Sequence, residues 1–169
     1  MNQALHLPVQ VVVFCLGAEQ FGLPVAMVRE ILDYSEASRL PGAPGWLLGL
    51  TDVRGLSVPV VDLRARLGLA PGTISLASRV LVVDLPRAGG DALVLGLLVD
   101  RVLDVCDFAE GAVEAVPEIG ARWPSQTIRA VLRRDDRFVV LLDSDGVFAD
   151  DVAFANAPAP LSVAIDAAA

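Results

Sequence analysis

A mainly β fold, built as two small barrels that share a core, is predicted by three features of this 169-residue chain. Its apolar residues gather in short Val- and Leu-rich runs, the longest of eight residues (Val11–Ala18, Ala92–Val99), separated by turn-forming residues. Runs of that length with such boundaries read as buried strands. The chain also resembles itself. Gly22–Leu32 (G-L-P-V-A-M-V-R-E-I-L) returns as Gly96–Cys106 (G-L-L-V-D-R-V-L-D-V-C) at an offset of 74, and Val58–Leu63 returns as Val139–Ser144 at an offset of 81. Finally, 54% of the residues are hydrophobic, ample for a core. A roughly five-strand unit is nevertheless too small to bury its own surface well, so the two copies are expected to pack together.

The elements follow in chain order. Residues 1–8 read as a loose leader. Val9–Gly17 is a strand, Gln20–Val25 a second across an Ala18-Glu19 turn, and Met27–Tyr34 a third extended segment. A P-G-A-P-G cluster marks Ser35–Gly45 as a loop. The strands Leu47–Val53 and Leu56–Leu63 flank Arg54-Gly55, a tight connection in which glycine accepts the positive φ of a hairpin turn. Pro59 cannot donate to a ladder and predicts an edge or a bulge for its strand. Asp62 reads as the N-cap of a short helix ending near Gly68. After a linker over 70–78 come strands at Arg79–Leu85, Ala92–Val99 and Arg101–Asp107, then a loop over 108–126. Thr127–Arg133 and Phe138–Leu142 form a last hairpin, and Asp143–Ala149 a closing helical turn. The expected organisation is one domain over 9–150, with repeat units at about 20–68 and 79–149 and flexible tails at 1–8 and 153–169.

Composition and motifs narrow the function. A net charge of −8 argues against a nucleic-acid footprint, which needs a clustered basic face. Eight apolar residues fall short of the ~18–20 that span a bilayer, and Met1–His6 carries no signal-type pattern, so a cytoplasmic chain without membrane insertion is expected. Cys15 and Cys106 read as reduced, buried small hydrophobes. Asp143-Ser144-Asp145-Gly146 lacks the remaining ligands of a calcium loop, with Val152 where the glutamate would stand. His6, the single histidine, sits in the leader, which leaves a Ser or Cys nucleophile without a rigid base. Neither a metal site nor a cofactor fingerprint is present in the sequence.

The charges that remain stand at strand ends: Glu30, Asp52, Arg54, Asp62, Asp100 and Asp104. Arg54 either pairs with Asp52 or Asp62 as an ordinary hairpin-end arginine, or is held rigidly by its turn for bidentate contacts to a partner or between the two barrels. The absence of a catalytic constellation favours a binding module over an enzyme. The competing reading is a small β-barrel ligand-binding or carboxylate-dependent enzyme domain, with Asp52 or Asp62 converging on a polar pocket.

The blocks F-G-L-P-V-x-x-V-R-E-I-L, L-P-G-A-P-G-W-L-L-G-L-T-D-V-R-G-x-x-V-P-V-V-D-L-R-x-R-L-G and G-L-L-V-D-R-V-L-D-V closely resemble, in order, the CheW family of chemotaxis adaptors. The resemblance runs from about Val9 to Ala149. It implies two intertwined five-stranded SH3-like barrels and a non-enzymatic scaffold. One surface would dock the regulatory domain of a CheA-type histidine kinase, and another the hairpin tip of a chemoreceptor's cytoplasmic coiled coil. Arg54-Gly55 match the family's arginine-glycine pair, and Asp52 stands where Asn is usual. Glu30 falls on an acidic position associated with kinase docking. Val28, Gly49, Val80 and Val105 fall on positions linked to coupling, for which core packing is the competing reading.

Overall fold

The computed structural model describes residues 5–87, 91–114 and 126–148, which form eleven strands, two short α-helices and two single 3-10 turns. The strands are β1 (Val9–Leu16), β2 (Glu19–Pro24), β3 (Val28–Asp33), β4 (Leu47–Val53), β5 (Leu56–Asp62), β6 (Arg79–Leu85), β7 (Leu93–Val99), β8 (Arg101–Phe108), β9 (Val113–Glu114), β10 (Ile128–Arg134) and β11 (Arg137–Leu142). Helix α1 (Leu63–Arg66) follows β5, and α2 (Ser144–Phe148) follows β11. The expected tail at 153–169 lies outside the described residues. In the leader, Leu5 packs with Val9 against a core cluster of Val11, Val13 and Leu132.

The strands divide into two sheets, ordered β8-β1-β2-β11-β10-β9 and β3-β6-β7-β5-β4. The fold is mainly β and SH3-like in its strand arrangement, as expected, with β9 added within the segment read as loop. The halves interlock. β1 and β2 join β8, β10 and β11, while β6 and β7 join β3, β4 and β5. The first tight turn falls at Gly17-Ala18, one residue earlier than expected, with Gly17 at φ 63°. Pro59 lies in interior strand β5, not at an edge. The parallel ladder to β7 runs only from Val60 to Asp62, so the missing N–H falls before that ladder begins.

The sequence repeat is reproduced in backbone detail. Val60 pairs with Gly96 and Leu141 with Gly22, the same contact at offsets of 81 and 74. Bulges recur at Leu47/Gly49 and Ile128/Ala130, and at Arg29 and Leu103. Asp62 caps α1 by accepting from the Arg64 and Ala65 N–H groups, and Asp143 does the same for Asp145 and Gly146. Upstream of the matched blocks, Val11 and Val80 crowd Gly22 and Gly96, where an added Cβ would lie 2.4 and 2.8 Å from the respective valine methyl groups.

The main core draws on both sheets: Phe14, Phe21, Leu63, Leu81, Leu95, Leu97, Leu142 and Val147 are all buried in one cluster. Full burial stabilises by about 1.5–3 kcal/mol for each such aliphatic or aromatic side chain. Both cysteines are free thiols, and desolvation pushes the Cys106 thiol up from its ordinary value.

A charged clamp joins the sheets where the chain crosses between them. Asp100 lies between β7 and β8, and accepts from the Gly17 N–H (2.6 Å) and from Arg64 Nε (2.9 Å) and Nη2. Arg64 also donates from Nη1 to the Ala70 carbonyl at 2.9 Å. Burial alone would raise the Asp100 carboxyl. The bonds from Arg64 and Gly17, with the Arg64 charge, outweigh it and hold the carboxyl below its ordinary value. A depressed folded-state value contributes stability that is present above the unfolded carboxyl's pKa, about 4, and is lost as pH falls through the folded value. Asp100→Asn is therefore expected to cost about 2 kcal/mol near neutral pH and to flatten the acid limb of stability. Urea unfolding across that range checks both; an unchanged acid limb in the variant would show that Asp100 does not carry it.

Candidate protein-docking site

The β4–β5 hairpin closes on two residues, Arg54 and Gly55, between the Val53–Leu56 pair. Both have positive φ, 52° and 84°. Two such residues define a type I′ turn, whose twist matches that of the flanking strands and which favours Asn-Gly. Arginine in the left-handed region is strained by about 1–2 kcal/mol. Asp52 offsets part of this by accepting the Gly55 N–H at Oδ1, 3.2 Å away. The turn is thus pinned by a side chain three residues before Gly55.

Arg54 does not pair with Asp52 or Asp62. Its Nε donates to Glu30 on β3, at 3.0 Å to Oε2 and 3.3 Å to Oε1. Glu30 follows the Arg29 bulge on an edge strand, and the contact ties that edge to the hairpin tip at the sheet's other edge. The Glu30 side chain is only 19% exposed, whereas that of Arg54 is 83% exposed. The guanidinium therefore presents its outer face to solvent from a fixed backbone. Beside it, Arg29 makes a two-point contact with Asp84 on β6, at 2.7 and 3.1 Å.

The other residues singled out in the sequence lie elsewhere. Val28 is half-buried against the main core, and Val80 is buried with Ala37, Val60 and Leu98. Gly49, at φ 143°, sits where the Ser38 backbone crosses β4: the Ser38 and Leu50 N–H and C=O groups exchange bonds of 2.8 Å. Val105 is 45% exposed, but on β8 in the other sheet. Asp62 and Asp52 stand at opposite ends of the hairpin. Asp62 borders a cavity of about 80 Å³ shared with Arg64 and Asp100, well below the roughly 300–1,000 Å³ of ordinary ligand pockets. Among the described residues, no group of three or more His, Cys, Asp or Glu is placed to hold a metal ion.

Sequence reasoning placed a second hairpin tip at Arg134–Arg137 but read its Asp135-Asp136 pair as merely solvated. Among the described residues, Asp135 is the other non-glycine residue with positive φ, 53°, and stands 81 positions after Arg54. Next to it, Arg134 Nη2 donates to Asp104 at 2.9 Å, and Asp104 stands 74 positions after Glu30. Each sheet thus carries an arginine–carboxylate tie between a hairpin tip and an edge strand. The two repeat offsets contained this signal, since together they bring Glu30 over Asp104 and Arg54 over Asp135.

This arrangement has close counterparts. A family model described as a CheW-like domain matches residues 10–152. A probable chemotaxis protein CheW of Rhizobium etli is 30% identical over 141 residues, 83% of this chain and 88% of the relative. The chemotaxis protein CheW of Rhizobium meliloti is 30% identical over 150 residues, 87% and 94% of the two chains. The crystal structure of the scaffolding protein TtCheW from Thermoanaerobacter tengcongensis matches with a TM-score of 0.73 at 27% identity, covering 84% of this chain and 93% of that one. With a family model covering most of its length and the same fold beneath it, the chain belongs to the CheW family of chemotaxis proteins.

Proposed function

We propose that this protein is a non-catalytic cytoplasmic adaptor that couples methyl-accepting chemoreceptors to a CheA-type histidine kinase within a receptor array at the membrane. The kinase regulatory domain and the receptor's cytoplasmic hairpin tip are its partners. The observation that carries this reading is the Arg54 tip. A strained residue whose side chain is 83% exposed gives little back to folding, and such strain is characteristic of sites kept for recognition. Glu30, Asp52, Arg54 and Gly55 form the docking tip in this reading; Val28, Gly49 and Val80 act on coupling through the packing of the fold. Val105 belongs to a second surface on β8.

Family membership supports the scaffold role, as does the structural likeness to TtCheW, itself a scaffolding protein. Among the described residues, no helix is long and apolar enough to cross a membrane. Residues 9–150 act as one unit in this account, because each half must borrow strands from the other to complete a sheet.

The test is capture of the chemotaxis-type kinases and receptors encoded in the same genome, with Arg54→Ala alongside. Wild type is expected to retain one kinase specifically and thereby name the pathway, while Arg54→Ala melts normally and loses that kinase. Failure to capture any kinase or receptor would overturn the reading.

A further inference from the structure

We infer that Asp52 is both the positioning residue for Arg54 and a determinant of partner specificity, selecting a partner that places a lysine or arginine beside the Arg54 contact. This deepens the docking reading above and rests on it. Two ion pairs lie close to the tip, Glu30 with Arg54 and Asp84 with Arg29. Asp52 is exposed, and among the described residues no ion pair reaches it; its hydrogen bond is the neutral one from the Gly55 N–H.

Pinning the turn needs an acceptor at Oδ1, which an asparagine supplies equally well. The negative charge is therefore surplus to the fold. A partner that covers the tip must desolvate that carboxylate, and burying it unpaired is strongly unfavourable. A cation on the partner removes the penalty, just as an acid on the partner would meet the outer face of Arg54. The tip then reads a complementary acid–base pair rather than a single charge.

The experiment titrates the kinase regulatory domain captured by wild type with the full chain as wild type, Asp52→Asn, Asp52→Ala and Arg54→Ala, at low and high salt. Hydrogen exchange at the Gly55 amide is followed in parallel. Asp52→Asn is expected to keep the Gly55 protection and the melting temperature, yet bind about three- to tenfold more weakly at low salt, the difference closing at high salt. Asp52→Ala is expected to exchange Gly55 about tenfold faster and to bind nearly as poorly as Arg54→Ala. Equal binding by Asp52→Asn and wild type at low salt would overturn the specificity role. Unchanged Gly55 exchange in Asp52→Ala would overturn the positioning role, and needs no partner to be read. Full binding by Arg54→Ala would instead remove the docking reading, and the specificity role with it.

Discussion

Gly49→Ala is expected to destabilise the fold by more than about 3 kcal/mol, a loss of roughly 10 °C in Tm for a domain of this size. A Cβ at this position would lie 2.0 Å from the Ser38 carbonyl oxygen and 2.6 Å from its carbon. These are backbone atoms held by paired 2.8 Å hydrogen bonds to Leu50, so no rotamer change relieves the overlap. The φ of 143° adds strain that any side chain would feel. Expelling Ser38 would also lift Ala37 from its cluster with Val60, Val80 and Leu98. Gly45→Ala is the matched control, since nothing lies within 4 Å of its added Cβ. Thermal melts of the two variants should separate widely; similar curves would show that the Ser38 crossing yields at little cost. On this account, lost coupling in a Gly49 variant reports a damaged fold, not a missing partner contact.

The contrast between Gly49 and Arg54 explains what the sequence made legible. Strand periodicity and turn chemistry located β1 to β8, β10 and β11, the Asp62 cap and the Arg54-Gly55 turn, because those are local signals written within a few residues. The internal repeat went further, since side chains that perform the same structural task in both halves were retained at fixed offsets. Partner choice was not legible. Whether Arg54 reaches Asp52, Asp62 or Glu30 depends on which edge strand the hairpin tip meets, and Glu30 on β3 is 24 residues away along the chain. The interlock came from the family resemblance and not from the repeat, which shows that two units are alike but not that they exchange strands. Arg64 gave no special signal, although it holds Asp100 and the Ala70 carbonyl in one clamp. Pro59 misled because interior strands normally need every donor, and here the parallel ladder is only three residues long.

Arg54→Asn is expected to move stability and partner capture in opposite directions. The residue occupies the first central position of a type I′ turn at φ 52°, where asparagine before glycine is the favoured sequence. Relief of the left-handed strain is worth about 1 kcal/mol. Against it stands the Glu30 contact, which is worth under about 1 kcal/mol with the arginine this exposed. The variant should therefore melt at the wild-type temperature or about 2–4 °C above it. Partner capture should nevertheless fall by at least about thirtyfold, the loss expected when a central arginine is removed from an interface. Arg54→Ala keeps the strain, because alanine also disfavours positive φ, so it should lose the partner without the gain in melting temperature. A variant with lower stability and intact capture would make Arg54 a structural residue after all. Higher stability with lost capture is the pattern of a position where recognition outweighs folding, and it is this trade-off that separates the tip from the glycine crossing only five residues before it in the chain.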